Sequence, residues 1–209
     1  MNTENVCRIS FDGEMLGGVA GHYSLVEIGA CTIEPIGKMQ KFGCIIRPSM
    51  GHAEAYEHGS MKVLRRPFEV FQKEGLDPRD AAHQFVDFCD EVRGDRNIEL
   101  HGVNSPFDFQ FFREFLHRFC PDRADVIGYK AFDITSYACG VFGLSLGSWS
   151  AKKTWKLIKT HHPVIYAKYF RGELEHTGLE DAIDQARLLM AIEEVQLLRA
   201  NTVLAAMGT

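Results

Sequence analysis

The sequence of 209 residues has no apolar run approaching the roughly eighteen residues that a membrane-crossing helix needs. Its first residues, Met1-Asn-Thr-Glu-Asn5, lack the basic-then-apolar pattern of a secretory leader. A cytoplasmic location with no membrane partner is the expectation. There is no C-x-x-C: the six cysteines (Cys7, Cys31, Cys44, Cys89, Cys120 and Cys139) lie far apart, mostly among apolar neighbours. That usage reads as reduced, buried thiols and excludes a clustered zinc site or a disulfide framework. No internal repeat, linker or low-complexity tract is visible, so residues 1–209 are expected to form a single domain with a full core. One further absence is local: no acid occurs between Asp133 and Glu173.

What remains is an ordinary globular composition, 45% hydrophobic and 24% charged, with a net charge of −5. That charge argues against coating long nucleic acid electrostatically, but not against gripping a few nucleotides. The acid-free stretch carries Lys152, Lys153, Lys156, Lys159, Lys168 and Arg171, interleaved with Trp149, Trp155, Tyr166, Tyr169 and Phe170. Such a mixture suits phosphate contacts and base stacking. It equally suits a solvated helix face with its aromatics in the core, and both readings stay open.

Val6–Phe11, Ser24–Ile33 and Lys41–Arg47 are rich in β-formers and closed by glycine or proline, which predicts an antiparallel meander. Residues 48–76 read mostly as loop, with a short helix around Lys62. Asp77-Pro78 starts a helix ending near Gly94, followed by a buried strand at Ile98–His101. Phe111, Phe112, Phe115 and Phe119 recur at helical spacing, in a helix expected to open at Asp108. A strand near Ala124–Ile127 leads to Asp133 and a helix through Val141; Ser148 is expected to cap another from Trp149 to Lys159, which Pro163 follows. Thr177 and Glu180 form a capping box, so the last helix should run from Thr177 to about Ala200 with Asp181 one turn inside and His176 just before it. Strands followed by alternating strands and helices give an α/β protein, a mixed five-stranded sheet flanked by helices.

The acids that matter terminate elements. Asp12 and Glu14, two residues apart after an apolar strand, share one side of it; Asp108 opens a helix; Asp181 lies in the first turns of the last helix. Acids gathered from distant segments repel unless cations neutralise them, and hard oxygen ligands without clustered Cys or His favour magnesium or manganese.

The set FDGE (Phe11–Glu14), N-x-x-F-D (Asn104–Asp108) and H-x-x-x-x-D (His176–Asp181) resembles the DEDDh 3′→5′ exonucleases, the family of ribonuclease T and of bacterial proofreading subunits. SLVEIGACTI and LEDAIDQA fit the same pattern, so the resemblance covers about Val6 to Leu198. It implies a ribonuclease H-like fold and a two-metal-ion phosphodiester hydrolase that releases nucleoside monophosphates from the 3′ end of single-stranded RNA or DNA. Asp12, Glu14, Asp108 and Asp181 would hold two Mg2+ or Mn2+ ions, and His176 would be the general base. Ribonuclease T-like similarity at Phe132–Thr135 and Gly143–Gly147 tilts the expectation slightly toward RNA. Many relatives dimerise, so the resemblance allows a homodimer, although no residue pattern points to one.

Two departures stand out. Family members usually carry D-x-E-T-T-G, whereas here the run is Asp12-Gly-Glu-Met-Leu-Gly17. Met15 and Leu16 are then expected to wedge against the terminal base. His101-Gly-Val-Asn104 replaces the usual G-H-N, leaving Asn104 either a substrate contact or a turn residue. His22, His101, His161 and His162 read as structural or solvent-facing, and Asp133 and Asp184 as scaffold. Two other readings follow from the altered run and the basic stretch: a catalytically silent nucleic-acid-binding module of the same fold, or a proofreading subunit acting inside a polymerase assembly.

Overall fold

The computed structural model describes residues 5–49, 56–64, 66–145, 150–172 and 177–207. In chain order the elements are β1 (Val6–Met15), β2 (Leu25–Thr32), β3 (Lys41–Ile45), α1 (His58–Val63), α2 (Phe68–Glu74), α3 (Pro78–Arg93), β4 (Asn97–Gly102) and α4 (Ser105–Phe119). A 3-10 segment (Pro121–Ile127) follows, then β5 (Ala131–Asp133), α5 (Ile134–Phe142), α6 (Ala151–His161), α7 (Pro163–Tyr169) and α8 (Gly178–Met207). The five-stranded sheet has the order β3-β2-β1-β4-β5. Its first three strands form the antiparallel meander, and β4 and β5 join β1 in parallel.

Helices cover both faces. On one, α3 and α4 pack Phe85, Phe111, Phe112 and Phe115 against Phe11, with the Phe11 and Phe112 rings edge to face at 5.1 Å. Each such ring, fully buried, stabilises by about 1.5–3 kcal/mol. On the other face α8 lies along β1 and β2, burying Ala182, Ile183 and Ala186 beside Cys31. Its far side packs Leu188, Ala191 and Ile192 against Trp155, Ile158 and Ile165 of α6 and α7. Arg8 ties β1 to Glu193 of α8 at 2.8 Å.

The local signals explain most starts. Asp77 accepts the Arg79 N–H at 3.0 Å ahead of Pro78, and Gly94 ends α3. Five expectations are corrected. The segment 124–127 is a 3-10 turn rather than a strand, because Ala124 and Ile127 are buried at a spacing of three; the fifth strand is Ala131–Asp133. The Phe-rich helix opens at Ser105, one turn before Asp108, with left-handed Asn104 (φ 55°) turning the chain into it. Residues 48–76 hold two short helices rather than the single one expected around Lys62, α2 being the addition. The cap of α6 is Ser150, whose Oγ accepts the Lys153 N–H at 3.3 Å; Ser148 and Trp149 lie outside the described residues. The last helix starts one residue later than expected and runs on to Met207.

Candidate active site

β4 accompanies β1 only as far as the Ser10–His101 pair, whereas β1 runs on to Met15 beside β2. Asp12 and Glu14 therefore stand within the overhanging part of β1 rather than after its end. Strand periodicity turns them toward α8 and leaves Phe11, Gly13 and Met15 on the α3–α4 face. Past the reach of β4, the Gly13 N–H donates to Asp108 Oδ1 at 3.2 Å. The α4 N-terminus is a favourable place for that carboxylate, and the bond pins it between the two strand acids.

Asp181 arrives from the other side. Thr177 Oγ1 accepts the Glu180 N–H at 3.3 Å, and the Thr177 carbonyl accepts the Asp181 N–H at 2.9 Å, so the first turn of α8 is capped as expected. That turn lies directly on β2. Gly178 donates its N–H to Glu27 Oε1 at 3.0 Å, and a Cβ on Gly29 would fall 2.0 Å from the Gly178 carbonyl carbon and oxygen. Gly29 is the register partner of Asp12. Close approach here is what brings Asp181 onto the strand acids: ligand oxygens of Asp12, Glu14 and Asp181 all lie within 4.8 Å of one another. One turn further along α8, Gln185 donates to Asp12 Oδ1 at 2.6 Å and accepts the Val103 N–H at 2.7 Å.

Crowding shows in the ionisation. Burial, then the charges of Asp108, Asp181 and Glu14, hold the Asp12 carboxyl well above the ordinary carboxylate range, against the opposing Gln185 donor. Burial, with Glu27, Asp181 and Asp108 adding repulsion, pushes Glu14 up to about 7. Burial likewise lifts Asp108 to about 7 despite the Gly13 N–H. Hard oxygens that resist ionising side by side are the donor set that magnesium or manganese fits and zinc does not favour. Among the described residues this is the one group of three or more acids, thiols or imidazoles close enough to hold an ion.

From the acidic end a cleft of about 840 Å³ opens between α8 and the α6–α7 pair, with Asp12, Asp181, Asp184 and Gln185 at one end. No histidine lines it among the described residues.

Other expected residues fall as follows. His176 lies outside the described residues. Leu16 is fully buried with Val26, Leu64 and Phe71, and Met15 packs in the main core, so neither presents a face to a nucleotide; the wedge expectation is corrected. The T-T hydroxyls of the family pattern have been replaced by core residues. Asn104 is exposed in a turn and does not line the cleft. Asp133 is scaffold, accepting N–H bonds from Ser105 and Ser136 that join α4 to α5. Asp184 Oδ2 accepts the Trp155 indole N–H at 3.2 Å, while its Oδ1 is buried with no hydrogen-bond partner among the described residues. Burial lowers His101 to about 3, so it stays neutral, stacked on Phe132.

Sequence reasoning missed Gln185, Glu27 and Gly29. Glu27 is an acid inside a wholly buried strand, held by Gly178 and by Arg66 at 3.5 Å. Gln185 is a polar residue in an apolar helical stripe. Both were visible as anomalies of pattern.

No family model matches the chain. The 3′–5′ DNA exonuclease Cap18 of Escherichia coli is 30% identical over 197 residues, covering 93% of this chain and 96% of that protein. The chain belongs to the DEDD-type 3′–5′ exonucleases of the ribonuclease H-like superfamily. Solved structures show the same fold. Pop2p of S. pombe, in a form with Mg2+ and Mn2+ bound, matches with a TM-score of 0.62 at 16% identity, over 91% of this chain and 84% of its own. Exonuclease I of Methylocaldum szegediense matches with a TM-score of 0.68 at 14% identity over 96% of this chain. This exonuclease spans only 43% of that protein's length.

Proposed function

We propose that this exonuclease is of the DEDDh kind, a divalent-metal-dependent enzyme releasing nucleoside monophosphates one at a time from the 3′ end of single-stranded DNA. The observation that carries the reading is the convergence of Asp12, Glu14 and Asp181, with Asp108 bound to the Gly13 N–H between them. Asp12, Glu14, Asp108 and Asp181 would hold two ions, Mg2+ or Mn2+, as the donor chemistry suits. When bound, such a pair supplies an activated water and charge stabilisation at the leaving 3′ oxygen. Gln185 orients Asp12. His176, directly before the Thr177 cap, takes the proton of the attacking water; no histidine among the described residues lines the cleft to do so instead.

DNA is favoured over RNA by two supports. The relative with 30% identity is named a DNA exonuclease, and E. coli exonuclease I, with a TM-score of 0.64, has been solved with a dA16 oligonucleotide. The slight tilt toward RNA has weaker footing: Asp133 of Phe132–Thr135 serves as a helix cap, and Leu146 and Gly147 lie outside the described residues. A silent binding module would have no need of three converging carboxylates with a fourth, Asp108, held beside them, at the cost of their mutual repulsion.

A matched pair of 5′-labelled DNA and RNA strands, incubated with manganese, tests the reading. Expected is a ladder shortening by single nucleotides from the 3′ end, faster for DNA, with mononucleotide products. An intact label population in both would contradict it. His176→Ala should lower kcat by about 10²–10⁴-fold while manganese binding, followed by calorimetry, persists.

A further inference from the structure

The acid-free stretch divides in two in the folded chain. Lys168 and the Tyr169 hydroxyl are both tied to Glu194 of α8, at 2.6 and 2.8 Å, and face away from the cleft. Lys152, Lys153, Lys156 and Lys159 instead line it, on successive turns of α6. All four are exposed, and Lys152, Lys156 and Lys159 form no salt bridge among the described residues. In a chain of net charge −5 this is a local reversal of sign. It is continuous, through one cleft, with Asp12 and Asp181.

Aromatic rings share the same wall. Tyr166 and Phe170 stack with centroids 4.6 Å apart and planes 19° from parallel. Trp155, anchored on Asp184, stands edge-on to Phe170 at 5.3 Å. Lys159 lies over the Tyr166 ring at 5.4 Å. Tyr166 and Phe170 are only half-buried, so the stack is open on the cleft side. A solvated helix face would not explain a ready-made stack beside Lys152, Lys156 and Lys159, which form no salt bridge among the described residues, at the mouth of an acidic site.

We propose that the α6–α7 wall is the binding site for the nucleotides upstream of the scissile bond, Lys152, Lys156 and Lys159 taking phosphates and the Tyr166–Phe170 stack taking a base. The inference rests on the acidic end being where hydrolysis occurs. A strand whose 3′ terminus lies on Asp12 and Asp181 then runs its 5′ part along the lysines. The cleft volume, about 840 Å³, falls within the range of roughly 300–1,000 Å³ that encloses a small ligand, enough for a short segment rather than a long tract. Stacking reads every base, so this site confers length preference without sequence preference.

The experiment compares kcat/KM for a dinucleotide with that for an oligothymidylate of about ten nucleotides, over a potassium chloride series. The wild type should prefer the longer strand. In K156Q/K159Q that preference should shrink, and the slope of log(kcat/KM) against log[salt] should fall in magnitude by about 0.7 per lysine removed. Phe170→Leu, which keeps an apolar side chain but removes the ring face, should raise KM for the longer strand about tenfold. Lys168→Ala, outside the cleft, should change neither. If the glutamine and leucine variants keep the wild-type length preference and salt slope while the dinucleotide is hydrolysed, the wall is not the strand site. If the wild type hydrolyses neither substrate with manganese present, the reading of the acidic site itself falls.

Discussion

Gln185 reaches Asp12 with its amide nitrogen and the Val103 N–H with its amide oxygen, both bonds short and both partly buried. A carboxylate surrounded by three others needs a donor to keep its orientation before any cation arrives, and a neutral amide supplies one without adding charge. Gln185→Glu removes that donor and adds a fifth acid. The expected result is a 10–100-fold rise in the manganese concentration giving half-maximal activity, the usual scale for groups that orient metal ligands. Gln185→Leu should in addition lower stability by about 1–3 kcal/mol, because the Val103 N–H loses its acceptor; urea unfolding of the metal-free protein measures this. The acids themselves were legible in the sequence, since each terminates or interrupts an apolar element in a recognisable motif. Gln185 and Glu27 showed only as breaks in an apolar pattern, because the backbone partners that give them meaning, Val103 and Gly178, lie 82 and 151 residues away in sequence.

The same crowding sets a pH dependence. Glu14 and Asp108 titrate near 7 in the fold but near the ordinary carboxylate range when unfolded, about 4. Their protonated forms favour the native state. In metal-free protein that stabilisation is complete below about pH 4 and is lost as pH rises through about 7. The urea midpoint in chelator should therefore fall between about pH 4 and 7 and level off above, and Asp108→Asn should flatten the fall. A wild-type midpoint that rose across this window would contradict the arrangement of acids.

At the scale of elements, the site depends on how closely α8 approaches β2. Gly29 permits contact with the Gly178 backbone that no side chain could share, and Glu27 caps the same turn from below. Gly29→Ala would force the helix start away from the strand, separating Asp181 from Asp12. The expected outcome is loss of activity together with destabilisation at or above the roughly 1–3 kcal/mol of ordinary overpacking. Gly43→Ala meets only the Leu179 side chain, at 3.1 Å, and should be milder in both respects. A Gly29→Ala enzyme with normal kcat would show that the close approach is not what positions Asp181. Sequence pattern cannot separate a glycine that permits contact from one that merely ends a turn, which is why Gly29 passed as part of an apolar strand. The same limit hid the 3-10 turn, whose Ala124–Ile127 spacing offers too few residues to distinguish a period of three from two.

For the whole molecule, the antiparallel meander was readable from three β-rich runs with short connections, and the mixed sheet from the strands and helices that follow, although the fifth strand lies at Ala131–Asp133 rather than at 124–127. The sheet order places β1 in the middle, with β2 on one side and the shorter β4 on the other, and that inequality of length makes the overhang where Asp12 and Glu14 stand. Helix α8, about 45 Å long at its 30 residues, runs past the sheet and exposes Leu197 and Leu198 near its end. Charge is laid out along the cleft from acidic to basic, a polarity that composition alone, at net −5, conceals.

The central claim, that Asp12, Glu14, Asp108 and Asp181 together form a divalent-metal centre, is tested most directly by crystals soaked in manganese and measured for anomalous scattering. Expected are peaks at about 2.0–2.2 Å from carboxylate oxygens of Asp12, Glu14 and Asp181, with Asp108 facing the same centre, and their loss in Asp12→Asn. Manganese bound elsewhere, with this cluster free of anomalous density, would contradict it.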